Sequence, residues 1–127
     1  MPAPARELRI PLRPRPVRVA WWSATGLCAA AILYLAIIPI PKGPEIPWLD
    51  KAVHVVQYLV LAWLLVRAIR AGGLWERPYL ALAWVYATSY GLLLEVLQVM
   101  LPWRSVDFLD AAANALGAAV GVGLGRR

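Results

Sequence analysis

Apolar residues run along this chain in four long blocks, separated by short polar, glycine- or proline-rich breaks. Between Arg18 and Lys42 lie 23 residues without a charge. An apolar run beyond about 18 residues predicts a membrane-crossing helix. It ends in Ile38-Pro39-Ile40-Pro41 rather than at a small-x-small cleavage site, so it reads as an anchor and not as a signal peptide. The stretch from Pro41 to Pro47 is a turn-rich connection in which helix is disfavoured. A second span is predicted over residues 50–71, its uncharged centre between Lys51 and Arg67. Gly72-Gly73 closes it, and Pro78 suits the first turn of a third span over 78–101, which Pro102 ends. A fourth is predicted over 107–125, ahead of Arg126-Arg127. With the first span placed at 19–40 behind a basic, proline-rich tail over 1–18, the expected fold is an all-α, integral membrane four-helix bundle.

Composition supports lipid as the solvent. Of 127 residues, 61% are apolar and 16% charged, against roughly 25% charged in soluble domains. Four spans of about 20 residues use most of the chain, which excludes a nucleotide-binding fold or a second soluble domain. The net charge of +6 raises the question of nucleic acid, but its distribution answers differently. Arg6, Arg9, Arg13, Arg15, Arg18, Arg67, Arg70, Arg77, Arg126 and Arg127 fall on one side of the predicted topology; Lys42, Lys51 and Arg104 fall on the other. The positive-inside rule then puts both termini in the cytoplasm of an inner-membrane protein, with membrane lipids and not nucleic acid as partners. Trp21 and Trp22 mark the inner boundary, and Trp48 and Trp103 the outer one. The single cysteine, Cys28, lies in an apolar run and excludes an intrachain disulfide.

Polar residues inside the spans carry the chemistry. Lys51, His54 and Tyr58 share one face of the second helix. Gly91, Glu95 and Gln98 share a face of the third, and Asp107, Asp110, Asn114, Gly117 and Gly121 a face of the fourth. All three stripes lie toward the outer end: His54 is ~6 Å past Asp50, Glu95 ~9 Å before Leu101, and Asn114 ~10 Å below Asp107. A charged side chain facing lipid at the helix centre costs on the order of 2.5–3.5 kcal/mol, so these groups are expected to face one another around an outward-opening polar pocket. Ala113, Gly117, Gly121 and Gly125 repeat every four residues, a pattern of close helix packing.

Within that pocket Glu95 and His54 are the candidate acid/base pair. Lys51 and Arg104 could hold an anionic group; Tyr58, Gln98, Asp107, Asp110 and Asn114 could orient a substrate. Asp107 and Asp110 also complement the dipole of the fourth helix, and Asp50, Gly91, Gly117 and Gly121 are expected to be structural. A Ser-His-Asp arrangement fails because Ser89 is ~9 Å from Glu95 along its helix and Ser105 lies in a connection. With one histidine and no cysteine pair, no cofactor is expected. A divalent ion would need the carboxylate-dominated set His54, Glu95, Asp107 and Asp110.

Three blocks together carry a resemblance. Asp50-Lys51-x-x-His54-x-x-x-Tyr58, then Glu95-x-x-Gln98, then Arg104-x-x-Asp107-x-x-Asp110-x-x-x-Asn114-x-x-Gly117 resembles the VanZ-like family of bacterial membrane proteins, over about residues 32–125. The resemblance implies a small multi-pass protein of the cytoplasmic membrane, acting at the cell envelope. The family's founding member is associated with resistance to the glycopeptide teicoplanin. The resemblance supplies no reaction, so an enzyme acting on a lipid or lipid-linked substrate, a non-catalytic binder of lipid headgroup or antibiotic, and a proton- or ion-linked transporter all stay open, as does oligomeric state.

Overall fold

A computed structural model describes residues 11–41, 43–44 and 46–127. Arg6, Arg9 and Lys42, which enter the charge argument, lie outside the described residues, as does most of the tail. The described residues form four α-helices and no strand: α1 (Arg15–Ile37), α2 (Leu49–Ala71), α3 (Arg77–Val99) and α4 (Phe108–Gly125). Each is long and apolar enough to cross a membrane.

The helix ends follow local chemistry. α1 begins four residues before the sequence expectation, because Pro16 fits the first helical turn and its flanking arginines, Arg15 and Arg18, are good helix formers. It stops at Ile37, ahead of Pro39, since a residue preceding proline is pushed out of the α region. α3 likewise opens with a proline in its first turn. α4 starts one residue later than expected because Asp107 is its N-cap, its carboxylate accepting from the Leu109 N–H at 2.9 Å.

α2 and α4 make the most extensive pairing, and they run parallel. At one end Lys51 of α2 meets Asp110 of α4; at the other the Arg70 guanidinium donates to the Gly125 carbonyl at 2.6 Å. Small residues make this approach possible. A Cβ at Gly117 would collide with the Val55 backbone, one at Gly121 with the Leu59 backbone, and one at Gly125 with Val66. The helical core is correspondingly small: Ala62, Ala68, Ala83 and Ala118 are fully buried. Leu27, Leu93, Val96 and Leu116 point outward, as expected where the solvent is hydrocarbon.

α1 packs on α2 and only grazes α3, and its backbone does not meet α4 among the described residues. The space left between α1 and α3 is bridged by side chains. Tyr90 donates to the Ala29 carbonyl at 2.6 Å, Gln98 Nε2 to Ala36 at 3.1 Å, Trp103 Nε1 to Ile37 at 3.1 Å, and Arg104 to Leu35. The last two answer a need written into the sequence. In a continuing helix the Leu35 and Ile37 carbonyls would accept from residues 39 and 41, and both are prolines without an N–H.

Candidate functional site

The polar stripes of α2, α3 and α4 converge at the end of the bundle where α2 and α4 begin and α1 and α3 end. Two layers form there. In the outer layer the Lys51 ammonium is shared by three carboxylates: Asp110 Oδ1 at 2.5 Å, Asp50 Oδ2 at 2.7 Å and Asp107 Oδ2 at 2.9 Å. Asp107 lies just before α4, and the ammonium, with the Leu109 N–H, holds its carboxyl below the ordinary carboxylate range. Its contribution to stability is therefore present at neutral pH and fades as acid takes the pH down through that lowered value.

The inner layer is built on His54. Its Nδ1 lies 2.8 Å from Asn114 Oδ1. An amide oxygen only accepts, so Nδ1 carries a proton. The opposite nitrogen, Nε2, faces Asp110 Oδ2 at 3.8 Å, while Glu95 Oε1 lies 3.9 Å from Nδ1. Glu95 is only 5% exposed, and its Oε2 has no hydrogen-bond partner among the described residues. One donor atom from each of His54, Glu95 and Asp110 lies within 4.8 Å of the other two. Tyr58 and Asn114 are buried beside this group, against Gly91, where a Cβ would come within 2.8 Å of Asn114 Nδ2 and 2.9 Å of Tyr58 Cε1. Gly91 thus leaves room for both side chains.

A cavity of about 790 Å³ opens beside the inner layer, between α1, α2 and α3 and under the α1–α2 connection. His54, Tyr58, Glu95, Gln98 and Arg104 supply its polar wall; Ile32, Leu35, Ile40 and Leu94 are among its apolar residues. Trp48 stands at its rim as the N-cap of α2 with φ of 66°, the one described non-glycine residue in the left-handed region. That conformation costs roughly 1–2 kcal/mol in an L-residue. Arg104 lines the cavity with a buried, unpartnered Nε.

Of the residues singled out from sequence, His54, Glu95, Asp110, Asn114 and Tyr58 come together. Lys51, Asp50 and Asp107 form the outer ion cluster, and Gln98 and Arg104 reach across to α1. Gly117 and Gly121 belong to the α2–α4 seam. Sequence reasoning missed the bridging role of Gln98, Trp103 and Arg104. The alternating prolines at 39 and 41 are the signal that points to it for Trp103 and Arg104.

Four apolar helices enclosing an ionisable cluster define a small multi-pass membrane protein. A family model described as VanZ/LLP1 matches residues 14–126, nearly the whole chain, and the protein belongs to that family. None of the curated proteins or solved structures compared with it gives a match.

Proposed function

We propose that the cavity receives the headgroup end of a membrane-resident amphiphile, a lipid or lipid-linked envelope precursor, and that Glu95 and His54 act on it as an acid/base pair. The observation that carries this reading is the Glu95 carboxylate: buried, with Oε2 unpartnered among the described residues, and set in the wall of an otherwise largely apolar cavity. An ionisable group at membrane depth is expensive to keep, and a functional role is its default explanation. Arg104, with an unused N–H at the same cavity, is suited to an anionic headgroup, and Ile32, Leu35 and Leu94 to the chain behind it. Lys51 is saturated by its three carboxylates, so we assign it to holding the site together rather than to the ligand. The excess of arginine at the opposite end puts the cavity at the outer leaflet in this reading. There, lipid-linked wall precursors and glycopeptides meet, in keeping with the teicoplanin association of the founding VanZ member.

The test is a mass profile of lipids and wall precursors from a deletion strain carrying no copy, the native protein, or Glu95→Gln at matched membrane levels. A species that changes with the native protein and not with Glu95→Gln is the expected result. Identical profiles, with an amphiphile that co-purifies with native protein and is lost in Arg104→Ala, would replace catalysis by capture. Normal profiles and no bound amphiphile would remove both.

A further inference from the structure

The inner layer contains more acceptors than donors. Asn114 takes the proton on His54 Nδ1, which in the neutral ring leaves the Nε2 lone pair directed at a second acceptor, Asp110 Oδ2, 3.8 Å away. Glu95 adds a third, with Oε2 unpartnered and its side chain 7% exposed. Lys51 does not resolve this, because it meets Asp110 through the other oxygen, Oδ1, and spends its remaining contacts on Asp50 and Asp107. Three acceptors thus come together in a largely buried site with no hydrogen bond linking them to one another among the described residues, an arrangement that a cation would relieve.

We infer that His54 Nε2, Asp110 Oδ2 and the Glu95 carboxylate form a binding site for one divalent transition ion of the Zn²⁺ or Mn²⁺ class. Donors bound to one such ion at about 2.0–2.2 Å lie roughly 3–4.3 Å from one another. The separation of 3.8 Å between His54 Nε2 and Asp110 Oδ2 is already in that range, and one donor atom from each of the three residues lies within 4.8 Å of the other two; Glu95 Oε1, 3.9 Å from Nδ1, would turn toward the Nε2 side to complete the set. An imidazole with two carboxylates suits Zn²⁺ or Mn²⁺ better than Mg²⁺ or Ca²⁺, which favour all-oxygen sets. The surrounding contacts are those of a metal site. Asn114 fixes the tautomer that frees Nε2, and Lys51 anchors the carboxylate oxygen that Asp110 does not offer to the ion. Two carboxylates also neutralise a divalent charge, which lowers the penalty of burying it. Asp107, considered from sequence as a fourth ligand, is tied into the outer ion cluster.

Binding of the ion stands apart from the amphiphile reading; its role would rest on that reading, with His54 and Glu95 then serving as its ligands in place of a free acid/base pair. His54 and Glu95 face the cavity, so an ion between them would polarise a headgroup oxygen placed there.

The experiment uses full-length protein in nanodiscs without added substrate, stripped with chelator and titrated with Mn²⁺ and Zn²⁺. One equivalent of Mn²⁺ per chain is expected, with nitrogen modulation from a single imidazole in pulsed electron paramagnetic resonance. Glu95→Gln and Asp110→Asn should lose that equivalent, Asn114→Ala should weaken it about 10–100-fold, and Asp107→Asn should keep it. No stoichiometric metal, or metal without nitrogen modulation in the native protein, overturns the inference; neither readout depends on a variant folding. Retention of the full equivalent in folded Glu95→Gln and Asp110→Asn overturns it as well. None of these outcomes touches the lipid profile, so the two readings fail separately.

Discussion

At the scale of single residues, the closest tolerances lie in the glycines of α4. Gly117 and Gly121 face the carbonyls of Val55 and Leu59, rigid backbone that cannot step aside, whereas a Cβ at Gly123 would meet nothing within 4 Å. Gly117→Ala and Gly121→Ala should each destabilise the protein by about 1–3 kcal/mol, while Gly123→Ala should be neutral or slightly stabilising. Thermal unfolding in detergent, followed by helical circular dichroism, measures all three. The four-residue spacing of these glycines was visible in the sequence as a packing stripe. Which backbone they touch was not, because a period names a face and not its partner. The polar stripes behaved likewise. Spacing put Lys51 and His54 on one face, but only the approach of α4 separates them, Lys51 into a saturated ion cluster and His54 into the inner layer.

At the scale of elements, the end of α1 is completed by another helix. The Leu35 and Ile37 carbonyls lose their intrahelical donors to Pro39 and Pro41, and Arg104 and Trp103 supply replacements from the connection after α3, while Gln98 of α3 donates to the Ala36 carbonyl between them. Gln98→Leu keeps the volume of this side chain and leaves the Ala36 carbonyl without a donor, at about 1–3 kcal/mol for a buried acceptor. The expected outcome is faster hydrogen–deuterium exchange confined to the last two turns of α1, with α2 and α4 unchanged. Four spans were legible because hydropathy and proline placement act locally. The boundaries moved by a few residues where capping decides them: at Pro16, at Pro39 and at Asp107. A polar pocket was expected from the sequence, but its place between α1, α2 and α3 was not, since that results from the wide spacing of α1 and α3, a property of neither helix alone.

At the scale of the whole molecule, the basic residues at one end and the acidic cluster at the other make a strongly polarised bundle. The expected orientation has both termini in the cytoplasm. A fluorescent protein fused after Arg127 should therefore fold and fluoresce, and a cysteine at position 105 should react with an impermeant maleimide added to whole cells; the reverse pattern would invert the topology.

The parallel seam between α2 and α4 also sets an order of events. Its two halves are separated by all of α3, and α4 is the last of the four helices to leave the ribosome. Until it arrives, Lys51 lacks Asp107 and Asp110, and His54 lacks Asn114. Three inserted helices are then a provisional assembly that shows its ionisable groups to lipid, where each central charge is penalised by on the order of 2.5–3.5 kcal/mol. The final helix acts as a keystone: its insertion turns those groups from lipid into the interior of the finished protein.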